Sequence, residues 1–467
     1  MRISVQLFFC VGVLRLERRT TWSQTKYANQ LRHTPSPFPL SKKDCKDTYL
    51  LQINKSGLYL RKSNSMKQIN FVILLLSAVF AGSCDIKYNL NEDDDWDDYS
   101  YAITGISSMG NLGELLEEKG MEDMQEDLYD VIEYHSKKVD IIDYDYPSTG
   151  PDGKRITLSA RMYVLDIQLK LSKKAPYLAI ANHASIVEAG QCPTRNIKAE
   201  AIFAWLGCPV IMPDYYGFGS SEENPQSYLN SDFAAQGNID ALKAAKAILQ
   251  DKKVKVGDEY YNVGYSQGGF NAIANLKYVS QHPDCGIKFK YTFAGAGSYD
   301  INATWDEYLK DTYPAAAVFL PLTIISANEF EGLGLDYANM IKEPLLSNYK
   351  EWILAKKYSF GSIMDRIGSN KVGDILTDGM IDGTAPEAAR LRKLFDGYSD
   401  VSGWTPSSDS KVLLFHSEED DVVPLFNSQR LYDNLKAAGA SVKLVTGKYG
   451  GHTNAEIQFA YAIVDEL

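Results

Sequence analysis

The sequence of 467 residues has few of the features on which metalloenzymes and nucleic-acid-binding proteins depend. It contains six cysteines and six histidines, and it has neither a Cys-x-x-Cys pair nor a His-Glu-x-x-His run, so no motif predicts a metal ion or another cofactor. Sixty acidic residues against 48 basic ones give a formal net charge of −12. Because binding to nucleic acid needs a basic surface, nucleic acid is not an expected partner. Internal repeats are also absent.

The N-terminal part of the sequence lacks an apolar run long enough to span a bilayer comfortably. The run over residues 69–81 follows a short basic segment that begins at Met66, and small residues and Cys84 come directly after it. A positive segment, an apolar segment of about a dozen residues and small residues are typical of a signal peptide. The cysteine makes this signal resemble that of bacterial lipoproteins, although Ala81 replaces the usual leucine. The resemblance implies a signal peptide over residues 66–83 and lipidation of Cys84.

This interpretation divides the N-terminal part of the chain into three segments. Met66 is then the translation start, and residues 1–65 are an upstream extension that we expect to be disordered; a genuine extension stays open. Loss of residues 1–83 removes 13 basic and three acidic residues, which changes the net charge from −12 to −22. The acidic run of residues 89–98 is then a solvated tether, a signal for display at the cell surface, or both. We expect an exported protein, lipid-anchored in a bacterial cell envelope, with the outer-membrane surface as one location.

Four cysteines lie after residue 83, and three of them remain if Cys84 carries a lipid. They are Cys192, Cys208 and Cys285. An oxidising compartment permits one disulfide, and proximity in the sequence favours a Cys192–Cys208 pair, but three free buried thiols are an equal alternative.

The rest of the chain shows an alternation of strands and helices. Residues 84–135 are predicted to be the acidic tether and a helical segment, and a hairpin follows. Apolar strands then alternate with helix-like stretches in residues 136–300 and again in residues 411–467. This pattern predicts an α/β fold, with a mainly parallel sheet covered by helices on both faces. Residues 301–410 interrupt the alternation with helix-like sequence, and we predict that they form an inserted helical lid, called the lid below.

One stretch of the predicted sheet has the pattern of a nucleophile elbow. Ser266 is flanked by Gly264 and Gly268, with Gly269 directly after, between an apolar strand and a helix-like run. A serine at such a strand-to-helix turn tends to take a positive φ, and its neighbours must be small. The motif alone is weak, because an ordinary strand-to-helix turn would also fit.

A serine nucleophile needs a base and an acid that orients the base. Among the histidines, His452 follows the last predicted strand on a glycine loop that allows it to reach Ser266. For the acid we choose Asp420 after the second-last strand, with Asp421 and Glu419 as competitors, because four acidic residues in a row leave the position open. Three strand ends thus carry the predicted catalytic residues.

The order Ser266, Asp420, His452 is that of the α/β-hydrolase superfamily. The acid loop from His416 to Pro424 is similar to the acid-loop motif of that superfamily, and the elbow with a late inserted lid looks most like secretory lipases and related bacterial lipoprotein esterases. The resemblance covers residues 140–467. It implies the α/β-hydrolase fold and hydrolysis without a metal or cofactor.

An oxyanion intermediate needs two backbone donors. One is expected from the amide of Gln267 at the helix N-terminus. For the other we choose the amide of Ala184, with Ser185 second; related enzymes often have His-Gly where this chain has His183-Ala184, and this departure puts the second donor in doubt.

The leading hypothesis is a serine carboxylester hydrolase of lipase or esterase type that acts on a small-molecule, lipid or glycan ester. Its contact with a membrane would be through the lipid anchor only. A serine peptidase of the same fold is the first alternative, and a catalytically dead surface lipoprotein that binds glycans or partners is the second. Turnover of ester and peptide substrates distinguishes the first two, and absence of labelling by a fluorophosphonate favours the third.

Overall fold

Two structural units make up the chain, Met1–Asn91 and Glu92–Leu467. The computed structural model describes residues 3–10, 13–18, 45–54, 57–62, 100–120, 125–171, 175 and 177–467. The predicted signal peptide, the lipid-anchor residue Cys84 and the acidic run of residues 89–98 lie outside the described residues.

The first unit contains a four-stranded antiparallel sheet. Its strand order is β2-β1-β3-β4. The strands are β1 (Ile3–Cys10), β2 (Val13–Arg18), β3 (Cys45–Asn54) and β4 (Gly57–Lys62). They lie within residues 1–65, where the sequence leads us to expect a disordered upstream extension. Two hairpins, β1–β2 and β3–β4, pair through β1 and β3 to form this sheet.

The second unit is built on a nine-stranded sheet with the order β13-β12-β11-β10-β8-β9-β7-β6-β5. All pairs among strands β8 to β13 are parallel. Strands β5, β6 and β7 form the antiparallel end of the sheet. The strands are β5 (Ala102–Met109), β6 (Val139–Thr149), β7 (Arg155–Leu165), β8 (Leu178–Asn182), β9 (Val210–Pro213), β10 (Tyr260–Tyr265), β11 (Phe289–Gly295), β12 (Lys411–Ser417) and β13 (Ser441–Gly447).

Thirteen α-helices are described in this unit. They are α1 (Leu112–Lys119), α2 (Gln125–Val131), α3 (Asp166–Leu171), α4 (Ser231–Asp251), α5 (Gln267–Gln281), α6 (Ile301–Tyr308), α7 (Ala316–Phe330), α8 (Leu345–Tyr349), α9 (Phe360–Ile367), α10 (Asp378–Ile381), α11 (Pro386–Tyr398), α12 (Phe426–Ala437) and α13 (His452–Glu466). None of the helices in the described ranges is long and apolar enough to cross a membrane.

Apolar side chains cover both faces of the sheet, which explains the nearly continuous apolar strands. Along β12, Val412 and Leu414 pack in one hydrophobic cluster with residues of α4, α5 and α12. Leu413 and Phe415 pack in another with residues of α1 and α13. Because successive side chains of a strand point to opposite faces, each face needs its own helical layer. The prediction of a mainly parallel sheet with helices on both faces is confirmed.

The helical prediction for residues 100–135 is only partly correct. Residues Ala102–Met109 form the edge strand β5, which pairs antiparallel with β6, and helices begin only at Leu112. Most of the β5 residues are half-buried or exposed, as expected for an edge strand. The strand itself contains three β-branched residues and no acidic residue, and backbone pairing with β6 fixes it as part of the sheet.

The helices α6 to α11 form the inserted segment between β11 and β12. Thirty buried residues of this unit make a hydrophobic cluster that lies largely within that segment. Phe270 at the start of α5 and Val187 belong to the same cluster and join it to the part of the chain that carries the sheet. The insert therefore packs on the side of the sheet where the elbow lies.

Candidate active site

Ser266 occupies a strained turn between β10 and α5. Its φ is +58° and its ψ is −122°, a conformation that residues other than glycine seldom adopt. The backbone N–H of Ser266 donates to the carbonyl of Gly295 at the end of β11 (2.9 Å), and its own carbonyl accepts from Phe270 (3.0 Å). The strand and the helix thus hold the turn from both sides, as the elbow pattern predicts.

The residues around Ser266 must be glycines because the surrounding backbone leaves no space for a side chain. A Cβ on Gly264 would lie 2.1 Å from the carbonyl oxygen of Gly268, and one on Gly268 would lie 1.9 Å from the carbonyl oxygen of Asn182. A Cβ on Gly269 would lie 2.2 Å from the carbonyl oxygen of Gly295. All three contacts are with backbone atoms, which cannot move aside cheaply. The close approach of α5 to β8 and β11 therefore depends on these three glycines.

Asp420 contacts the ring of His452. The Nδ1 atom of His452 donates to Oδ2 of Asp420 at 2.7 Å, and the Asp420 side chain is 1% exposed. The other carboxylate oxygen accepts from the backbone N–H groups of Val422 (2.9 Å) and Val423 (2.7 Å). The acid is therefore rigidly placed, and since Nδ1 carries the proton, Nε2 of the neutral ring is free to accept one.

Burial opposes ionisation of Asp420, but its hydrogen bonds favour it more. The side chains of His416 and His452 both contribute, and together they hold the pKa of the Asp420 carboxyl well below its usual range. Asp420 is therefore ionised at neutral pH. A buried carboxylate in this place stabilises positive charge on the His452 ring.

The two competing acids bind the backbone of the loop that carries His452. Asp421 Oδ1 accepts from the backbone N–H of His452 at 2.9 Å, and Glu419 Oε2 accepts from that of Gly450 at 3.1 Å. Neither hydrogen bond reaches the imidazole ring. Among the acids of this run, the geometry therefore gives only Asp420 the place of an orienting acid.

His416 is a buried structural residue of the acid loop. Its Nε2 donates to the carbonyl of Val423 (2.9 Å), and the Ser428 hydroxyl lies 2.7 Å from its Nδ1. Nε2 also lies 3.4 Å from Oδ2 of Asp420. His416 thus closes the loop around Asp420 and lies near the carboxylate oxygen that also accepts from His452.

Tyr265 links His452 to the turn at Ser266. Its hydroxyl donates to the carbonyl of His452 (2.8 Å), and the two rings are 5.0 Å apart. Tyr265 precedes Ser266 directly, so the structure brings His452 and Ser266 to the same edge of the sheet. The Nε2 atom of His452 is buried and has no hydrogen-bond partner in the described part of the chain. Hydrogen bonds to a nucleophile often form only when substrate is bound.

The two predicted oxyanion donors lie on neighbouring segments. Gln267 begins α5, where the first backbone N–H groups have no partner within the helix. Residues 183–185, called the β8 loop, follow β8, and the carbonyl of Asn182 at the end of β8 lies where a Cβ of Gly268 would be. The amides of Ala184 and Ser185 have no acceptor among the residues that the structure describes.

A cleft opens in front of Ser266. Its empty space is ≈ 530 Å³ with open solvent included, of which ≈ 30 Å³ is accessible to the centre of a water molecule, and Ser266 and Gln267 form part of its wall. Helices α6 and α7 of the lid supply much of the remainder. The other lining residues are Tyr228, Leu229, Ser298, Ile301, Thr304, Trp305, Tyr308, Phe319, Leu320, Thr323, Val422 and Val423. The sequence offers no signal for Tyr228 or Ser298; only tertiary packing brings them to the cleft.

Cys192, Cys208 and Cys285 are free thiols. Burial raises the pKa of Cys192 to about 11 and that of Cys208 to about 12, so both are protonated at neutral pH. The alternative of a Cys192–Cys208 disulfide is therefore not found. Within the described ranges, no group of three or more His, Cys, Asp or Glu side chains is arranged to hold a metal ion.

No protein-family model matches the chain, and no curated protein matches its sequence. Solved structures do resemble it. A candidate hydrolase from Legionella pneumophila is 18% identical, with a TM-score of 0.67, over 78% of this chain and 96% of that one. A variant of the rice cell wall degrading esterase LipA from Xanthomonas oryzae is 19% identical, with a TM-score of 0.65, over 78% and 97%. Candida antarctica lipase A is 12% identical, with a TM-score of 0.55, over 77% and 81%.

These likenesses bear on the fold. The three proteins have the α/β-hydrolase fold, and so does this chain, as the motifs predict. The Legionella protein is described as a hydrolase and the other two as an esterase and a lipase. Because fold does not determine activity, the reaction of this chain has to be argued from its own site.

Proposed function

We propose that the protein is a serine hydrolase that cleaves carboxylic esters through an acyl-enzyme intermediate. The observation that carries the proposal is the strained Ser266, placed at the same sheet edge as a His452 ring that donates to the buried carboxylate of Asp420 at 2.7 Å. A hydroxyl becomes a good nucleophile when a neighbouring base takes its proton. The free Nε2 of His452 is the group that can do so.

In the proposed reaction, Ser266 Oγ attacks the carbonyl carbon of the ester while Nε2 of His452 takes the hydroxyl proton. The tetrahedral oxyanion is stabilised by the amide of Gln267 and by one amide of the β8 loop, Ala184 being the first choice. When the intermediate collapses, the protonated His452 gives its proton to the leaving alkoxide. Asp420 stabilises the imidazolium formed in between.

Water then completes the cycle. His452 takes a proton from a water molecule, the hydroxide attacks the acyl-enzyme carbonyl, and Ser266 leaves with that proton. The products are a carboxylic acid and an alcohol. The apolar and aromatic lining of the cleft, with Trp305 and Phe319 from the lid, fits an acyl chain or an aromatic acid.

The decisive experiment is a comparison of the wild type with Ser266→Ala. We expect the wild type to react with a fluorophosphonate probe and to hydrolyse a p-nitrophenyl ester series, and Ser266→Ala to lose both. Ser402→Ala, which changes an exposed serine, is the matched control and should keep both activities. Ester turnover by Ser266→Ala at the wild-type rate would refute the proposal.

The same experiment tests the two alternatives. A labelled wild type that cleaves peptides in preference to esters would be a serine peptidase, and an unlabelled, folded wild type would be a binding protein on a hydrolase scaffold. The intact Asp420–His452 hydrogen bond supports a working enzyme over the latter.

We also propose that the chain is exported and anchored through Cys84. Incorporation of labelled palmitate by the wild type but not by Cys84→Ser, in cells of a Gram-negative host, is the expected result. Equal labelling of both would exclude Cys84 as the anchor.

A further inference from the structure

The β8 loop is held by side chains from several other segments. The loop matters because the proposed function requires one of its amides to stabilise the oxyanion. Its geometry relative to Gln267 therefore determines how well charge is stabilised in the transition state, and a displacement of about 1 Å can cost about 100-fold in rate.

The loop starts from a buried network of four asparagines. Asn182 donates to Oδ1 of Asn262 (3.0 Å) and to the carbonyl of Val263 (2.9 Å). Its own Oδ1 accepts from Asn238 (3.2 Å) and Asn275 (3.0 Å). All four asparagines are at most 2% exposed. The network ties β8 to β10, α4 and α5, so the end of β8 cannot move without breaking several buried hydrogen bonds.

His183 fixes the next peptide. Its Nδ1 donates to the carbonyl of Ala184 (2.7 Å), and its ring stacks on Tyr215 at a centroid distance of 4.0 Å. The Tyr215 hydroxyl donates to the carbonyl of His183 (3.2 Å). The carbonyls of residues 183 and 184 are therefore both occupied, and the orientation of the peptide that follows is restricted.

Ser185 is held by Tyr228 at the far end of the loop. The two hydroxyl oxygens are 2.9 Å apart. Tyr228 is 5% exposed and lines the cleft together with Ser266 and Gln267. Tyr228 thus contacts the Ser185 side chain and also forms part of the cleft wall beside Ser266.

The backbone beside Tyr228 is strained and fastened. Leu229 has a φ of +57°, which is costly for a branched aliphatic residue. The next residue, Asn230, caps α4 by accepting from Phe233 (3.1 Å), and it donates to Glu331 at the end of α7 (3.2 Å). Glu331 in turn accepts from the Tyr398 hydroxyl (2.6 Å). A strained conformation of this kind persists only where the surroundings enforce it. The hydrogen bonds of Asn230 hold the backbone beside Tyr228, whose hydroxyl contacts the β8 loop.

We propose that Tyr228 is a positioning residue, which places the oxyanion donor of the β8 loop by holding Ser185. The inference rests on the proposed function and adds to it a residue from outside the loop. Tyr228 acts on the donor and not on the substrate, so its hydroxyl matters more in the transition state than in the ground state.

The test is a double-mutant cycle of Tyr228→Phe and Ser185→Ala, assayed on a p-nitrophenyl ester. Each single variant should lower kcat by about 10-fold with KM within about twofold of the wild type, because the donor and not the binding surface is displaced. The double variant should be no worse than the worse single variant, since both substitutions remove the same hydrogen bond. Ser185→Thr, which keeps the hydroxyl, should retain most of the wild-type kcat.

A second readout separates positioning from a general structural role. Inhibition by a trifluoromethyl ketone, which forms a tetrahedral adduct with the serine, should weaken in Tyr228→Phe by the same factor as kcat/KM. The control is Tyr337→Phe, which removes a tyrosine hydroxyl hydrogen bond to Glu329 in the lid, outside the cleft. It should leave kcat, KM and inhibition unchanged.

The outcomes decide between the hypotheses. A wild type that is labelled by fluorophosphonate, with Tyr228→Phe at full kcat or with additive effects of the two substitutions, overturns this inference and leaves the proposed function standing. A wild type with neither labelling nor turnover overturns both. If Tyr228→Phe does not fold, as judged by circular dichroism, Ser185→Ala against Ser185→Thr decides: equal kcat in these two overturns the inference.

Discussion

The part of the chain that carries the sheet and the lid contribute to the cleft in different ways. In the sheet region, Ser266, Asp420 and His452 follow strand ends and are held by backbone hydrogen bonds of 2.7–3.0 Å to their own or neighbouring loops. The lid contributes chiefly apolar side chains from α6 and α7, packed on a hydrophobic cluster that is largely its own. The difference suggests that the sheet region determines the chemistry, while the lid determines which substrate fits.

The largest expected effect concerns the acid of the sheet region. Asp420→Asn should lower kcat about 10⁴-fold, because an amide in this place favours the wrong tautomer of His452 and no longer stabilises its charge. Asp421→Asn should cost about 10-fold or less, because its side-chain oxygen can still accept from the backbone of His452. Steady-state kinetics on one ester measures both. A larger loss in Asp421→Asn would assign the orienting role to the competing acid.

Glycine-to-alanine substitutions should change the free energy of unfolding in opposite directions in the two regions. Gly268→Ala places a Cβ 1.9 Å from a backbone oxygen and should lower the free energy of unfolding by about 3 kcal/mol or more. Gly397→Ala, in the exposed part of α11 with no atom within 4 Å of the new Cβ, should raise it by about 0.5–1 kcal/mol. Urea denaturation measures both. Similar small effects would show that the elbow tolerates side chains after all.

In the sheet region, the buried His183 should make the free energy of unfolding depend on pH in the acidic range. Burial, assisted by the positive charge of Lys198, lowers the pKa of His183 to about 3, whereas the unfolded chain has the ordinary value near 6.5. Between these values only the unfolded state binds the proton of this ring, so the contribution of His183 to the free energy of unfolding is full above pH 6.5 and falls by about 1.4 kcal/mol per pH unit as the pH decreases towards 3.

His183→Gln removes this titratable ring. The free energy of unfolding of the variant should therefore fall less steeply with decreasing pH in that window than that of the wild type. The lid variant Gly397→Ala should keep the wild-type slope, because it changes no titratable group. Denaturant titrations at several pH values between 4 and 7 measure the slopes. Parallel curves for His183→Gln and the wild type would exclude the contribution of His183.

The smallest effect is expected from the lid and should depend on substrate. Phe319 lines the cleft, so Phe319→Ala should lower kcat/KM about 10-fold on an octanoyl ester and less than about twofold on an acetyl ester, because only the longer chain uses this apolar surface. Phe360, whose ring lies 4.8 Å from that of Phe319, is not among the cleft residues, and Phe360→Ala is the control. Equal losses on both esters would mean that the lid acts on the chemistry.

The sequence was most informative where the residues that determine a local structure all lie within one short stretch. The three glycines around Ser266 predicted the elbow because each is needed within a few residues of the turn. Asp420 and His452 could be chosen as candidates because each follows a strand in an ordered series. The edge strand β5 contains no acidic residue, but acidic and helix-like sequence flanks it, and only its pairing with β6 shows that it is a strand. Tyr228 had no local signal, because its partner Ser185 lies 43 residues away.

The sequence by itself determined the α/β architecture, the elbow and the order of the predicted catalytic residues, because these follow from periodicity, turn chemistry and succession along the chain. Tertiary structure alone decided which carboxylate of the acidic run meets the ring of His452, and which residues hold the β8 loop and form the cleft. Four adjacent acidic residues are equivalent as a sequence, but they differ once the loop is folded. The contacts that distinguish them join segments that are distant in the chain, and no local pattern encodes their distances.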